Sequence, residues 1–582
     1  MALPVPKSGY SRFMKEGTRH FQGADEAVLR NIEAIGELAN KLRTAFGPNG
    51  MNKMVINHIE KLFVTNDAAT ILNELEIEHP AARLLILAAQ MQEKQIGDYT
   101  NTVIIFAAEL LERSAELLYM GLKPVEIADA YDASFKELEE CLKTMVVAEA
   151  TDLQNLDKVK EYLRSSIASK QFDHQQFITD LVAQACVQTV PRSSANFSVD
   201  NIRICKILGS GVQYSRVMNG MVFKRGTEGN VKKVDDARVA VFTCPFDITQ
   251  TESKGTILMN TADDLKNYAN TEETEVESQV RALSEIGVNC IVAAGKFGDL
   301  YLHFLNKYNI MACAPSLNLL GQCDRVYLEE IGDTDVTVFD KKSERGNIAT
   351  IICAPSLNLL GQCDRVYLEE IGDTDVTVFD KKNERGNIAT IIVRGSSESR
   401  MDDIERAIDD AVNTYKALTK DARLLAGAGA VDMRMSVHME KWCQDMPGIE
   451  QYGIRRYALA LSLMPKQLAK NNGHEPTAVI IMPKQLAKNN GHEPNVVMSN
   501  LIAAHEQGQC DHGVEVIGGE TMDAVEAKIF DLYSGKLSAY RLATEAVSTI
   551  LRVDQIIMAK QATGGPKPRN PLPQDGDDDG MA

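Results

Sequence analysis

Apolar residues at Val28, Ile32, Ile35, Ala39 and Leu42 recur at three- and four-residue spacing. That spacing lines one face of a helix, starting near Asp25 and ending at Gly47-Pro48. Similar amphipathic stretches predict helices around 80–95, 101–120, 124–147 and 400–418, and another helical stretch lies at 538–551. From roughly 200 to 395 the pattern changes. Short Val/Ile-rich runs such as Arg238–Thr243 and Val336–Phe339 alternate with Gly/Asp turns, as in mixed α/β layers. Helical ends therefore flank an α/β middle. Beyond Gly564 the chain has Gly, Pro and acid but almost nothing to bury, which predicts a mobile acidic tail over 561–582.

Two internal repeats interrupt this pattern. Residues 313–352 recur at 353–392 with a single difference, Ser343 against Asn383, and the block Met464–Pro476 returns unchanged at 482–494. Neither has the copy number of a solenoid, which needs about three units to bury a continuous core. Their near-identity marks recent duplication or a faulty gene assembly. Each copy of the longer block predicts a hairpin and a third strand: Val326–Ile331, Val336–Phe339 and Ala349–Ile352 in the first. A packed core offers one set of neighbours, so only one copy can take it. The second copy runs without a break into Val393-Arg394-Gly395 and is the one expected in the sheet. The first is left to form an extra edge hairpin or to stay loosely ordered. The surplus copy of the shorter block, within an insertion near 477–494, is expected to loop out.

At 582 residues the chain exceeds what one core supports, so several domains are expected. Its 44% apolar and 25% charged residues are those of a globular protein. A formal charge of −19 with no dominant basic cluster argues against nucleic-acid binding. No run approaches a membrane span and Met1–Tyr10 lacks a signal-peptide layout, so the expected location is the cytoplasm. The cysteines are scattered without a CxxC pair, as reduced thiols would be.

No GxxxxGK[ST] loop is present, so phosphate would need another device. Three segments supply one together. Arg43–Gly50 ends a helix in a Gly-rich turn whose amides can face an anion, although a helix C-cap would look the same. In Val64–Leu72, Asp67 stands where a strand-like run gives way to a helix, and in Ile96–Thr102, Asp98 sits beside Gly97 before hydroxyl and amide side chains. An N-cap, worth about 1 kcal/mol, explains either acid alone. Acids at two helix starts, where phosphate also binds, make joint sense if Mg²⁺ bridges carboxylate and phosphate.

With Ser165–Lys170, Val393–Gly395, Asp402–Ala411, Gly427–Ala430 and Ala543–Asp554, these segments resemble the signatures of the group II chaperonins, in order and along nearly the whole chain. The resemblance implies an ATP-driven protein-folding subunit of the eukaryotic cytosolic type, with ATP and Mg²⁺ as cofactors. Gly47 and Pro48 would border the phosphates, Asp98 would ligate Mg²⁺, and Thr100, Asn101 and Thr102 would contact the phosphate chain. Lys170 would sense it, and Asp67 and Asp410 would position the attacking water. Asn66 belongs to the same binding run as Asp67. Gly427 and Ala428 would lie against the nucleoside, and Asp531 would meet the ribose. Read locally, Asp409-Asp410 on a helix face is solvated charge.

The implied fold is multidomain, α and α/β. It has a helical equatorial domain (1–150 and 405–560), a small α/β intermediate domain (151–220 and 380–404) and an α/β apical domain (221–379). Partners would be seven paralogous subunits in an eight-membered ring, two rings stacked, with unfolded clients of the actin and tubulin class. Nucleic acid and membrane are not among them. The chain departs from the family at Ala68, Tyr99 and Ala428, where glycine is usual. A ring at position 99 must leave the pocket or narrow it. A non-hydrolysing structural ring subunit and a defective product of the duplications are the alternative readings.

Overall fold

The computed structural model describes residues 19–558, apart from 23, 58, 76, 191–196, 225, 243–245, 248–261, 314–324, 332–333, 341–360, 372–373, 381–387, 472–493 and 516–520. The 561–582 tail, the strand expected at Ala349–Ile352 and the 477–494 insertion lie outside the described residues, except for Pro494, which opens a helix.

Helix Thr100–Tyr119 is buried on every side from Thr102 to Leu111, and such a stretch needs neighbours all round. It finds them in Ala24–Arg43, Pro80–Gln95, Glu450–Leu461 and Tyr533–Leu551. Phe106 at its middle meets Tyr457 and Tyr540 edge-on, with ring centroids 5.5 and 4.9 Å apart. Both ends of the chain therefore build one core, and strands Arg19–Gln22 and Gln555–Met558 pair antiparallel.

A second core lies between helices Leu156–Ala168, Gln175–Thr189 and Glu398–Lys420 and strands Ile202–Leu208 and Ala389–Gly395. The boundary expected at 404/405 falls inside helix Glu398–Lys420. Its apolar face (Met401, Ile404, Ile408, Ala411, Val412, Tyr415) packs as a unit into this second core. Its last turn packs elsewhere: Ala417 and Leu418 join Leu424, Phe530 and Leu532. The boundary expected at 220/221 likewise cuts strand Arg216–Phe223.

An eight-stranded sheet runs in the order Ile202–Leu208, Ala389–Gly395, Arg216–Phe223, Thr374–Asp380, Gly361–Ile371, Lys233–Phe242, Cys290–Ala293, Met311–Cys313. The second copy of the duplicated block supplies its hairpin, Gly361–Ile371 with Thr374–Asp380, to the middle of this sheet. The first copy forms the same hairpin, Arg325–Ile331 with Thr334–Asp340, in the same register. Among the described residues that hairpin pairs only with itself; it does not extend the large sheet as an edge. Val234 and Met221 already face the second copy through Val366 and Phe379, so the only slot between these strands is taken.

No described helix is long and apolar enough to cross a membrane. No disulfide joins the cysteines whose side chains are described.

Candidate active site

The acidic turn after helix Pro80–Gln95 is fixed by a close approach. Gly97 has φ +85°, and a Cβ there would lie 2.4 Å from Asn413 Cγ, so the turn lies directly on helix Glu398–Lys420, close to Asp410. Asp98 Oδ1 accepts from the Tyr99 amide at 2.6 Å, Oδ2 from Ser166 Oγ at 3.3 Å, and Gln92 Nε2 donates to the Asp98 carbonyl at 3.0 Å. Burial raises the Asp98 carboxyl above its ordinary value, against the pull of Lys170.

Tyr99 caps helix Thr100–Tyr119 in the left-handed region, φ +69°. Its ring turns onto helix Tyr533–Leu551, where a Cβ on Gly535 would meet Tyr99 Cε2 at 2.5 Å, and its hydroxyl accepts from the Leu532 amide at 2.9 Å. The first helical bond runs from Val103 to the Tyr99 carbonyl, so the amides of Thr100, Asn101 and Thr102 have no carbonyl one turn back. Thr100 and Thr102 are buried, and Asn101 Oδ1 is buried without a partner among the described residues.

Asp67 caps helix Ala68–Glu74. Its Oδ2 accepts from the Thr70 amide at 2.9 Å and the Thr70 hydroxyl at 2.7 Å. Its Oδ1 lies 3.1 Å from Lys170 Nζ, which also stands 2.5 Å from Asp410 Oδ2. The three side chains are only 11–13% exposed, so Asp410 is not the solvated helix-face charge that its local pattern implied. Burial would raise the Asp67 carboxyl, but Lys170 and Thr70 outweigh it and hold it at about 2. Burial lifts Asp410 well above its ordinary value, and Lys170 offsets that only in part. For Lys170 burial favours the neutral amine, but Asp410 and Asp67 reverse this and hold the ammonium charged. Asn66 joins the same cluster, donating from Nδ2 to the Ser169 carbonyl at 3.4 Å.

Ala68 opens its helix with all but 1% of its surface buried, and neither it nor Asp67 is strained. Ala428, by contrast, sits at φ +55° and is followed by Gly429 at +79°. The Gly427 amide donates to the Ile529 carbonyl at 2.9 Å, and strand Arg423–Ala426 pairs with Phe530–Leu532, with Leu425 opposite Asp531. Gly427, Ala428 and Asp531 thus form a second group, joined to the first by Tyr99 and by Ser165, whose hydroxyl donates to the Phe530 carbonyl at 2.5 Å.

The Gly47-Pro48 turn is built separately. Gly47 has φ +85°, and a Cβ on it would meet Leu468 at 2.6 Å. Asn471 Nδ2 donates to the Arg43 and Phe46 carbonyls at 2.9 and 2.7 Å, and Gln467 Nε2 to the Arg43 carbonyl at 3.0 Å. These residues belong to the first copy of the shorter repeat, whose Met464, Pro465, Gln467 and Ala469 are buried. Gln467, Asn471, Ser166, Gln92 and Lys536 escaped the sequence reading. The identity of the 464–476 repeat marked the positions of Gln467 and Asn471, and the Ser165–Lys170 segment contained Ser166, but neither assigned these residues a role.

Two groups thus converge on the joint between the first and second cores: an acid–lysine cluster in which Asp67 and Asp98 stand at helix starts, and a paired-strand turn ending in Asp531. The TCP-1/cpn60 chaperonin family profile matches residues 38–482 and 477–561, and the chain belongs to that family. The chain is a chaperonin subunit. Over the full length of both chains it is 58% identical to T-complex protein 1 subunit theta of Caenorhabditis elegans, 57% to that of Caenorhabditis briggsae and 46% to that of Homo sapiens.

Proposed function

We propose that this subunit binds and hydrolyses Mg·ATP at the joint between its first two cores and uses the cycle to fold unfolded proteins in the cytoplasm. It would do so within a hetero-oligomeric double ring of eight paralogous subunits per ring. In this reading the first core is the equatorial domain, the second the intermediate domain, and the far strands of the large sheet belong to the apical domain that holds clients. The observation that carries the reading is the meeting of Asp67, Lys170 and Asp410, from three distant parts of the chain, beside the Asp98 turn.

The residues fit the cofactor. Among the described residues no group of three or more acids, histidines or cysteines would hold a metal unaided. That suits Mg²⁺, which takes one or two carboxylates and completes its shell with phosphate and water. Asp98 carries one donor on each oxygen, which leaves lone pairs for the metal. The amides of Thr100–Thr102 and the Asn101 Oδ1, without partners among the described residues, are polar groups in want of a ligand. When bound, Mg²⁺ neutralises phosphate charge. Asp410, with its raised carboxyl, and Asp67 orient the attacking water, and Asp410 is the better placed to take its proton. Lys170 exchanges a carboxylate for phosphate oxygen as nucleotide arrives.

Asp98→Ala tests the reading through Mg²⁺-dependent nucleotide binding by the full-length chain. Binding should be lost in the variant and present in the parent. Equal affinity in both would remove Asp98 from the site.

A further inference from the structure

Beneath Asp531 lies a charge system that the proposed hydrolysis does not use. Lys536 is 5% exposed and Asp432 1% exposed. The Lys536 ammonium donates to Asp432 Oδ1 and Oδ2 at 3.0 and 2.8 Å, and Asp432 also accepts from the Tyr540 hydroxyl. The same ammonium stands 3.4 Å from Asp531 Oδ2. Asp432 lies in the first turn of helix Ala430–Asp445, just past the Gly427–Gly429 turn, and Lys536 lies in the first turns of helix Tyr533–Leu551, just past Asp531. One buried cation therefore ties the nucleoside turn to the ribose carboxylate.

A purely structural pair would end at Asp432, which takes two of the ammonium's donors and is itself held by the Tyr540 hydroxyl. The contact to Asp531 reaches instead toward the site's rim, where the Asp531 side chain is 20% exposed. An ammonium has three donors, and with two directed at Asp432 the third is available to Asp531 Oδ2. Among the described residues no donor is assigned to Asp531 Oδ1.

We propose that Lys536, anchored by Asp432 and Tyr540, is the positioning residue for Asp531: it fixes one carboxylate oxygen so that the other accepts from a ribose hydroxyl. Lys536 thereby sets the preference for ribonucleotide over deoxyribonucleotide. The inference rests on the reading of Asp531 as the ribose contact.

The test uses calorimetric dissociation constants of the full-length chain for Mg·ADP, Mg·2′-deoxy-ADP and Mg·3′-deoxy-ADP. Lys536→Met leaves Asp432 buried and unpaired and threatens folding, so Asp432→Asn/Lys536→Met is the primary variant. Lys536→Gln, which keeps a donor without the charge, is read in the same way if that pair does not fold. The parent should prefer ADP over at least one deoxy form by roughly tenfold, the order expected of one hydrogen bond to a charged group. The variant should lose that preference by weakening ADP alone, as should Asp531→Asn, and Lys536→Arg should restore part of it. Retained preference in the variant, or equal weakening of all three nucleotides, overturns the role of Lys536. A parent that binds ADP and both deoxy forms alike removes the ribose contact itself, and the inference falls with it. A parent that binds none of the three contradicts the nucleotide site as a whole.

Discussion

Lys170 Nζ stands between two carboxylates, 3.1 Å from Asp67 Oδ1 and 2.5 Å from Asp410 Oδ2, and so ties the first core to the second. Removing it leaves two buried acids without their cation, a change that costs about 3–5 kcal/mol when a buried pair is broken. Asp67 is held at about 2, below its ordinary 3.8, so it stabilises the fold above the ordinary value. That contribution, about 2 kcal/mol, is lost as pH falls through about 2. Lys170→Met should therefore be least stable relative to the parent at neutral pH, and the gap should close as the medium is acidified. Urea unfolding at a series of pH values reads this directly, and a gap constant with pH would contradict it.

Gly97→Ala should uncouple the Asp98 turn from the helix that carries Asp410. The added Cβ meets Asn413 at 2.4 Å in a backbone conformation at φ +85°, which costs an L residue about 1–2 kcal/mol before any clash. The turn must lift from helix Glu398–Lys420, so turnover should fall more than tenfold while ADP affinity changes several-fold at most. Equal losses in both would mean that the turn serves binding alone.

For Tyr99 the account separates ring from hydroxyl. Tyr99→Phe keeps the packing on Gly535 and loses the bond from the Leu532 amide, leaving a buried donor unpaired at a cost of about 1–3 kcal/mol. The unfolding midpoint should drop accordingly. Because the ring lies on helix Tyr533–Leu551, Tyr99→Gly should leave Mg·ADP affinity within about twofold of the parent, the ring's lost contacts being spent on stability. A large gain in affinity would show that the ring narrows the pocket.

Deleting 313–352 joins Ala312 to Cys353 and leaves the central hairpin Gly361–Asp380 with its partners Lys233–Phe242 and Arg216–Phe223. The hairpin Arg325–Asp340, paired only with itself among the described residues, presents two strand edges of the kind that recruit other chains. The deletion should raise solubility and leave nucleotide binding unchanged, and limited proteolysis of the intact chain should cut first within 313–352. Early cleavage confined to 353–392 would reverse the assignment.

Much of the framework was legible because its signals are local. Helices Ala24–Arg43, Pro80–Gln95 and Thr100–Tyr119 follow from apolar spacing, and the run into Val393-Arg394-Gly395 singled out the second copy as the one in the sheet. Asp98 and Asp67 were found at helix starts for the same reason. What failed depends on residues far apart in sequence. Asp410 reads as solvated from its own helix but is buried against Lys170, which comes from a distant part of the chain. Ser166 reaches Asp98, Lys536 reaches Asp432, and Asn471 closes the Gly47 turn across most of the chain, with no periodicity to announce any of them. The line expected at 404/405 runs through helix Glu398–Lys420, whose apolar stripe from Met401 to Tyr415 packs in the second core, a tertiary fact that no local pattern carries.

The central claim is that Asp410 performs hydrolysis at a site that binds nucleotide without it. Single-turnover cleavage of γ-labelled Mg·ATP by the full-length chain, assembled with its ring partners, measures this in the parent and in Asp410→Asn. The account predicts unchanged nucleotide occupancy and at least a hundredfold loss of the chemical step attributable to this subunit, in the range a general base contributes. It also predicts a parental rate that falls on acidification through a value above the ordinary carboxylate range. Cleavage by Asp410→Asn at the parental rate would contradict it.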